Sequence, residues 1–129
     1  MAVRIVRLGT PRARGEGLRL GTVRRPPRGV RRSDFARLDF YDLWLPVLSP
    51  SAPLVKQALA ARSARELARF FRKFRTELAR GPGAQVLDLL AALSHGADFS
   101  LGCYCEDERR CHRSALRDEL EERGAAITS

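Results

Sequence analysis

Hydrophobic and polar positions alternate near the start of the chain. Residues 3–6 and 18–23 both follow this pattern, which is typical of half-buried strands. The segment 9–17 between them holds three glycines and a proline, so it predicts a loop. Pro26 and Pro27 then exclude a helix or a central strand from the stretch that follows. The first quarter of the chain therefore predicts two strands joined and followed by loops.

The middle of the chain predicts three helices, over 52–61, 64–79 and 83–95. Ser51 is the candidate N-cap of the first helix. Ser63 and Glu66 match a capping box at the start of the second, where the two side chains satisfy free backbone amides. Apolar residues then recur every three or four positions, which gives the second helix one apolar face. These helices need an apolar partner surface, and the predicted strands supply it.

The last third predicts a buried strand followed by a helix. Residues 99–105 are rich in apolar side chains, as in strands that are covered on both faces. Asp107 is a candidate cap for a helix over 108–123. This order of strands and helices predicts one small three-layer α/β domain over 1–129, with a short, mostly parallel sheet and helices packed on it.

Charge is distributed unevenly along the chain. The formal net charge is +9, and residues 1–32 hold ten arginines against the single acid Glu16, so the rest of the chain sums to zero. Five of these arginines lie in residues 24–32, called the arginine loop here: Arg24, Arg25, Arg28, Arg31 and Arg32. Guanidinium groups suit phosphate and carboxylate, so we expect this loop to bind an anionic small molecule or nucleic acid. A solvated charged face that binds no nucleic acid is an equal alternative for the same residues. No apolar run approaches the roughly 20 residues of a membrane helix, so no membrane is expected as a partner.

The three cysteines lie within nine positions of one another, next to a histidine and an arginine. An odd, clustered set does not predict a disulfide framework, and reduced thiols indicate a cytoplasmic protein. The cluster follows a predicted strand and opens a predicted helix, where α/β proteins bind ligands and helix amides favour anions. The candidate catalytic residues are Cys103, Cys111 and His112, and the candidate anion-binding residues are Arg24, Arg28 and Arg113.

Three other hypotheses apply to the same segment. Cys103, Cys105, Cys111 and His112 form a legitimate zinc set, but the spacing C-x-C-x5-C-H is not a common zinc pattern, so a metal-free site is favoured and the cofactor is left unassigned. A phosphatase-like loop from Cys103 to Arg109 is disfavoured, because three acids at 106–108 would repel phosphate. The cysteines also fit a purely structural role as small buried hydrophobes.

These residues resemble a known family. Cys103, the acidic turn after it and the run Cys111-His112-Arg113 are similar to the signature of the domain of unknown function 488 (DUF488) family, in which Cys-x-Glu and an acidic turn precede Cys-His-Arg at the start of a helix. Cys105 stands where that family usually has glutamate. Three further stretches resemble its YeaO-like branch: 24–30, 42–51 and 70–78. The resemblance implies a compact three-layer α/β fold in a bacterial cytoplasmic protein, and it implies no activity.

Two classes of function follow from the sequence. The first is an enzyme or ligand-binding domain that binds or processes a phosphorylated or nucleotide-like anion at the Cys-His-Arg turn. The second is a non-catalytic nucleic-acid or polyanion binding module that uses the arginine loop, and a structural zinc site is a further alternative. The first class predicts that the arginine loop and residues 111–113 line one cleft, and the second predicts that they lie on separate faces. The sequence predicts neither the substrate nor the oligomeric state.

Overall fold

The computed structural model describes residues 1–128, and its centre is a five-stranded parallel sheet. The strands are β1 (Val3–Arg7), β2 (Leu18–Gly21), β3 (Leu43–Trp44), β4 (Phe99–Cys103) and β5 (Ile127–Thr128), in the spatial order β3-β2-β4-β1-β5. The helices are α1 (Ala52–Ala60), α2 (Ala64–Arg80), α3 (Gly83–Leu93) and α4 (His112–Glu122). The predicted α/β class with a parallel sheet is confirmed.

One face of the sheet packs against all four helices. Side chains alternate along a strand, so Phe99 and Leu101 of β4 point to the same face as Leu20 of β2. These residues join a single buried cluster with apolar residues from every helix, among them Phe70 and Phe74 of α2. The apolar face that the sequence predicts for α2 is the face that packs into this core.

The opposite face of the sheet is covered by residues from the segments 8–17 and 22–42, whose one regular element is the 3-10 turn Arg32–Asp34. The close β2–β4 pairing places Gly21 beside Gly102. A Cβ at these positions would lie 2.3 Å from the Tyr41 ring and 2.4 Å from Leu8 Cδ2. The two glycines therefore leave room for loop side chains to pack directly on the sheet backbone.

The last helix begins later than the sequence predicts. The Asp107 side chain does accept a bond from a backbone amide, that of Arg109 at 3.0 Å, but the turn that it caps is a 3-10 turn over Glu108–Arg110. Cys111 then adopts extended dihedrals, φ −96° and ψ 147°, which interrupts the helix so that α4 starts at His112. The strand predicted over 99–105 likewise ends at Cys103.

The capping predictions have two different outcomes. Ser63 Oγ accepts from the Glu66 amide at 3.1 Å, as the capping box requires, and the Glu66 carboxylate accepts from the Arg62 amide at 3.1 Å. Ser51 precedes α1 as predicted, but its side chain makes no capping bond. Across residues 1–128, no helix combines the length and apolar character needed to span a bilayer.

Candidate functional site

The chain leaves the centre of the sheet in opposite directions after β2 and β4. These strands are neighbours, and the chain runs from β2 to β3 at one edge and from β4 to β5 at the other. In open α/β sheets such a divergence marks the ligand-binding crevice, at the carboxyl ends of the two strands. The arginine loop follows β2 and the cysteine segment follows β4, so both predicted site segments lie where this crevice is expected.

Three thiols and one imidazole converge at the end of β4. The ligand atoms of Cys103, Cys111 and His112 all lie within 4.8 Å of one another. Cys103 Sγ is 3.9 Å from Cys105 Sγ, and Cys111 Sγ is 3.7 Å from His112 Nδ1. We call these four residues the thiol–imidazole cluster. All three cysteines are free thiols, of which Cys105 is exposed and the other two are buried.

Hydrogen bonds to Thr22, ninety residues away, hold the His112 ring. Thr22 Oγ1 donates its single hydrogen to the Gly102 carbonyl at 2.9 Å. His112 Nε2 faces that hydroxyl oxygen at 3.3 Å and the Thr22 carbonyl, both of which can only accept. Nε2 therefore carries the ring hydrogen, and the lone pair of Nδ1 points at the Cys111 sulfur. Burial lowers the pKa of His112 to about 4, against the opposing effect of the Thr22 carbonyl, so the ring is neutral.

The thiols differ in acidity because they share hydrogen bonds. Hydrogen bonds from Cys103 and then Cys111, aided by the nearby Arg113 charge, lower the pKa of the Cys105 thiol. The bond that Cys103 gives to Cys105 raises its own pKa to about 11, and the pKa of Cys111 is also raised. The exposed Cys105 is thus the thiol that ionises first in this cluster. The candidate catalytic thiols named from the sequence are Cys103 and Cys111, and Cys105 is not among them.

Arg113 is buried, and its terminal nitrogens bond to backbone carbonyls. Nη1 donates to the Val6 carbonyl at 2.7 Å, and Nη2 donates to the Cys105 carbonyl at 2.8 Å. The guanidinium therefore clamps the ends of β1 and β4 together. Its Nε is buried without a partner among the described residues. The positive charge of Arg113 therefore lies in the protein interior beside the cluster, and it is not presented to an open pocket.

The start of the arginine loop is fixed to its surroundings. Arg24 donates to the carbonyls of Ser49 and Pro50 at 3.2 and 3.0 Å. The Trp44 indole donates to the Val23 carbonyl at 2.7 Å, and the Tyr104 hydroxyl donates to the Arg25 carbonyl at 3.0 Å. The last bond joins the loop to the cysteine segment directly.

Three guanidinium groups of the loop form no hydrogen bond or ion pair with the described residues 1–128. Arg25, Arg28 and Arg32 are exposed, and none forms an ion pair with another residue in the range 1–128. Arg31 is also exposed and lies 3.6 Å from an Asp34 carboxylate oxygen. Of the residues predicted to bind an anion, Arg28 presents its guanidinium to solvent, whereas the guanidinium groups of Arg24 and Arg113 bond to carbonyls.

A groove of about 490 Å³ lies close to this end of the sheet. Its lining includes Arg24, Ser49, Phe74 and Glu77. The Phe74 ring packs edge-on against the His112 ring, with centroids 5.5 Å apart, so Phe74 separates the groove from the cluster. The sequence predicted that His112 and Arg113 face a pocket, and neither residue lines this groove.

Sequence reasoning missed two residues that organise the site, Thr22 and Tyr104. Both lie next to strand ends, which is the one signal that could have indicated them.

The chain matches a family profile described as the active DUF488-N3 subclade over residues 3–124. It is a DUF488 protein. No curated protein and no solved structure matches this DUF488 protein. The narrower resemblance to the YeaO-like branch stays a prediction.

Proposed function

We propose that this DUF488 protein binds a phosphate-bearing small anion, such as a nucleotide, in the crevice between the ends of β2 and β4. One observation carries the proposal: hydrogen bonds through Tyr104 and Thr22 join the segment that holds the thiol–imidazole cluster to the chain that leads into the arginine loop, at the same end of the sheet. Thr22 holds His112 from the β2 side, and Tyr104 holds the Arg25 carbonyl from the β4 side. This arrangement favours the first of the two functional classes, in which both segments line one cleft.

The charge of the loop supports an anionic ligand. Arg25, Arg28 and Arg32 have no ion-pair partner among residues 1–128, and uncompensated guanidinium groups repel one another until an anion arrives. The start of the loop, at Arg24 and Arg25, is held by hydrogen bonds to Pro50 and from Tyr104, which lowers the ordering needed there on binding. In this proposal Arg28 contacts the ligand, while Arg24 and Arg113 position the walls of the crevice.

Chemical processing of the ligand would use the exposed thiol. Cys103, Cys111 and His112 are buried, so within the cluster Cys105 is the group that reaches a ligand in the crevice. The matching subclade is described as active, with no reaction named. Free thiols of this kind persist in a reducing compartment, which supports a cytoplasmic location.

A second candidate, a nucleic-acid or polyanion binding module, has one observation in its favour. Exposed arginines continue past the crevice, at Arg31, Arg32 and Arg37. A series of this length matches several phosphates of a strand better than one small molecule. The small anion remains the first choice because Arg31 and Arg37 each have Asp34 as an ion-pair partner.

Binding measurements with charge-matched variants test the proposal. Arg25→Ala/Arg28→Ala removes two exposed loop arginines, and Arg65→Ala/Arg69→Ala removes two exposed arginines from α2. Charge-assisted bonds contribute about 1.5–3 kcal/mol each, so the loop variant should bind a nucleoside triphosphate at least about tenfold more weakly, and the α2 variant should bind as the wild type does. Equal losses in both variants would refute a defined site and leave only net charge.

The same titrations separate the two candidates. A random single-stranded oligonucleotide is measured at several salt concentrations, with and without the nucleotide as competitor. A polyanion module would bind the oligonucleotide alone, and the loop variant would lower the salt slope by about 0.7 for each lost phosphate contact. Oligonucleotide binding that the nucleotide abolishes would favour one small-anion site. Failure of both ligands to bind at low salt would refute both candidates.

A further inference from the structure

We infer that Cys103, Cys105, Cys111 and His112 form a binding site for one zinc ion. The unusual spacing of these residues counts against a zinc site when the sequence is considered alone. The fold brings the residues together despite that spacing. Cys103 ends β4, Cys105 follows two residues later, and the start of α4 places Cys111 and His112 beside Cys103. This inference is independent of anion binding by the arginine loop. It gives Cys105 the role of a metal ligand in place of the processing role considered above.

Two distances between ligand atoms match a tetrahedral zinc site. The ligand atoms of Cys103, Cys111 and His112 lie within 4.8 Å of one another, and the exposed Cys105 side chain, which lies outside this group of three, completes the set by rotating toward it. Zinc lies about 2.3 Å from thiolate sulfur and about 2.0–2.1 Å from imidazole nitrogen, so tetrahedral angles place two sulfurs about 3.8 Å apart and a sulfur and a nitrogen about 3.6 Å apart. The separations are 3.9 Å for Cys103–Cys105 and 3.7 Å for Cys111–His112. A disulfide would require about 2.05 Å, so the sulfurs sit at the spacing of ligands and not of a bonded pair.

The tautomer of His112 is the one that a metal requires. Its Nε2–H is fixed by the Thr22 carbonyl and hydroxyl, which leaves Nδ1 as a free lone pair aimed at the sulfurs. A zinc-bound histidine almost always donates its other nitrogen to a carbonyl or carboxylate in this way. A histidine that served only as a hydrogen-bonding cap would have no need to point its second nitrogen at a group of thiols.

Charge and access also fit zinc. Three thiolates and a neutral imidazole leave one net negative charge around Zn²⁺, and the buried guanidinium of Arg113 lies behind Cys105, bonded to its carbonyl at 2.8 Å. Cys105 is exposed while the other three ligands are buried, so an ion can enter from the Cys105 side. Sulfur-rich tetrahedral sites select zinc over magnesium or calcium, which prefer oxygen ligands.

Metal analysis of the whole chain tests the inference. Protein purified under reducing conditions with zinc in the medium should carry one zinc ion per chain. Cobalt added to the metal-free protein should produce thiolate-to-cobalt charge-transfer absorption and the intense visible bands of a tetrahedral site. Cys105→Ser is the informative variant, because an exposed side chain can be replaced without disturbing the core. Its zinc affinity should fall on the order of 100-fold, since even residues that only orient the ligands contribute 10–100-fold.

Two controls keep the outcomes distinct. His95→Ala removes the other histidine of the chain, which is exposed and bonds to the Gly124 carbonyl, and it should leave the metal content unchanged. Arg25→Ala/Arg28→Ala should keep its zinc, so loss of anion binding and loss of metal are separate results. The inference is overturned if the wild type carries no zinc, if competition with a chelator gives Cys105→Ser the same zinc affinity as the wild type, if the cobalt spectrum is the same in both, or if the reduced, native protein contains a Cys103–Cys105 disulfide.

Discussion

A buried ion pair on the loop-covered face of the sheet leads to the most quantitative prediction. Glu16 and Arg19 have side chains that are 2% and 1% exposed, and they meet in a bidentate contact at 2.7 and 3.0 Å. Ser100 Oγ and the Ala13 amide also donate to the carboxylate, at 2.7 and 3.0 Å. Glu16→Gln keeps the size of the side chain but removes its charge and turns an NH₂ group toward donors.

The expected cost follows from two independent considerations. Removing one partner of a buried ion pair leaves an uncompensated charge and costs about 3–5 kcal/mol. Burial alone would raise the pKa of Glu16, but the bonds from Arg19, Ser100 and the Ala13 amide outweigh it and hold the pKa at about 2 instead of the ordinary 4.5. That difference corresponds to about 3 kcal/mol. We therefore expect Glu16→Gln to lower the free energy of unfolding by about 3 kcal/mol, a large part of the roughly 5–15 kcal/mol of a whole domain.

The pH dependence of stability has a defined sign. The pKa of Glu16 is lower in the folded chain than in the unfolded one, so its contribution is complete above about pH 4.5. Between about pH 4.5 and 2 the unfolded chain takes up the proton first, and the contribution is lost as the pH falls. Glu16→Gln should lack this part of the acid-induced loss of stability.

Urea unfolding followed by circular dichroism measures both effects. The matched control is Asp88→Asn, which neutralises an acid that is 69% exposed and pairs with Arg123 at 2.7 Å. Exposed pairs contribute at most about 1 kcal/mol, so this variant should stay near the wild type and retain the acid-induced loss. If Glu16→Gln costs no more than Asp88→Asn, or if its stability falls as steeply as the wild type's below pH 4.5, the assignment of this pair is refuted.

Two further predictions concern packing and the arginine loop. Gly102→Ala should destabilise the fold by about 1–3 kcal/mol, because the new Cβ would lie 2.4 Å from Leu8 Cδ2; an unchanged urea midpoint would show that the loop moves away at no cost. Tyr104→Phe removes the donor to the Arg25 carbonyl, so it should cost about 1 kcal/mol and speed trypsin cleavage in the arginine loop. Tyr41→Phe is its control, since the Tyr41 hydroxyl is buried with no partner among the described residues, and it should not destabilise the protein.

Much of the fold could be predicted from local patterns. Apolar residues recur every three or four positions along α2 and form a run in β4. Both patterns mark surfaces that are buried away from water, so both elements are visible in the sequence. The strands β3 and β5 have two residues each, too short to show any period, so they were missed. The start of the last helix was misplaced because Asp107 caps a 3-10 turn as well as it would cap an α-helix.

The candidate site divides in a similar way. Local sequence is enough to place Cys103, Cys105, Cys111 and His112 at a strand-to-helix junction, since their neighbours define both elements. The surroundings of these four residues depend on how the strands and helices assemble. Thr22 reaches His112 from ninety residues away, and Arg24 and Arg113, which the sequence offers as anion ligands, bond to carbonyls instead. Every residue has a backbone carbonyl, so such partners have no signature in the sequence and become known only once the strands are assembled.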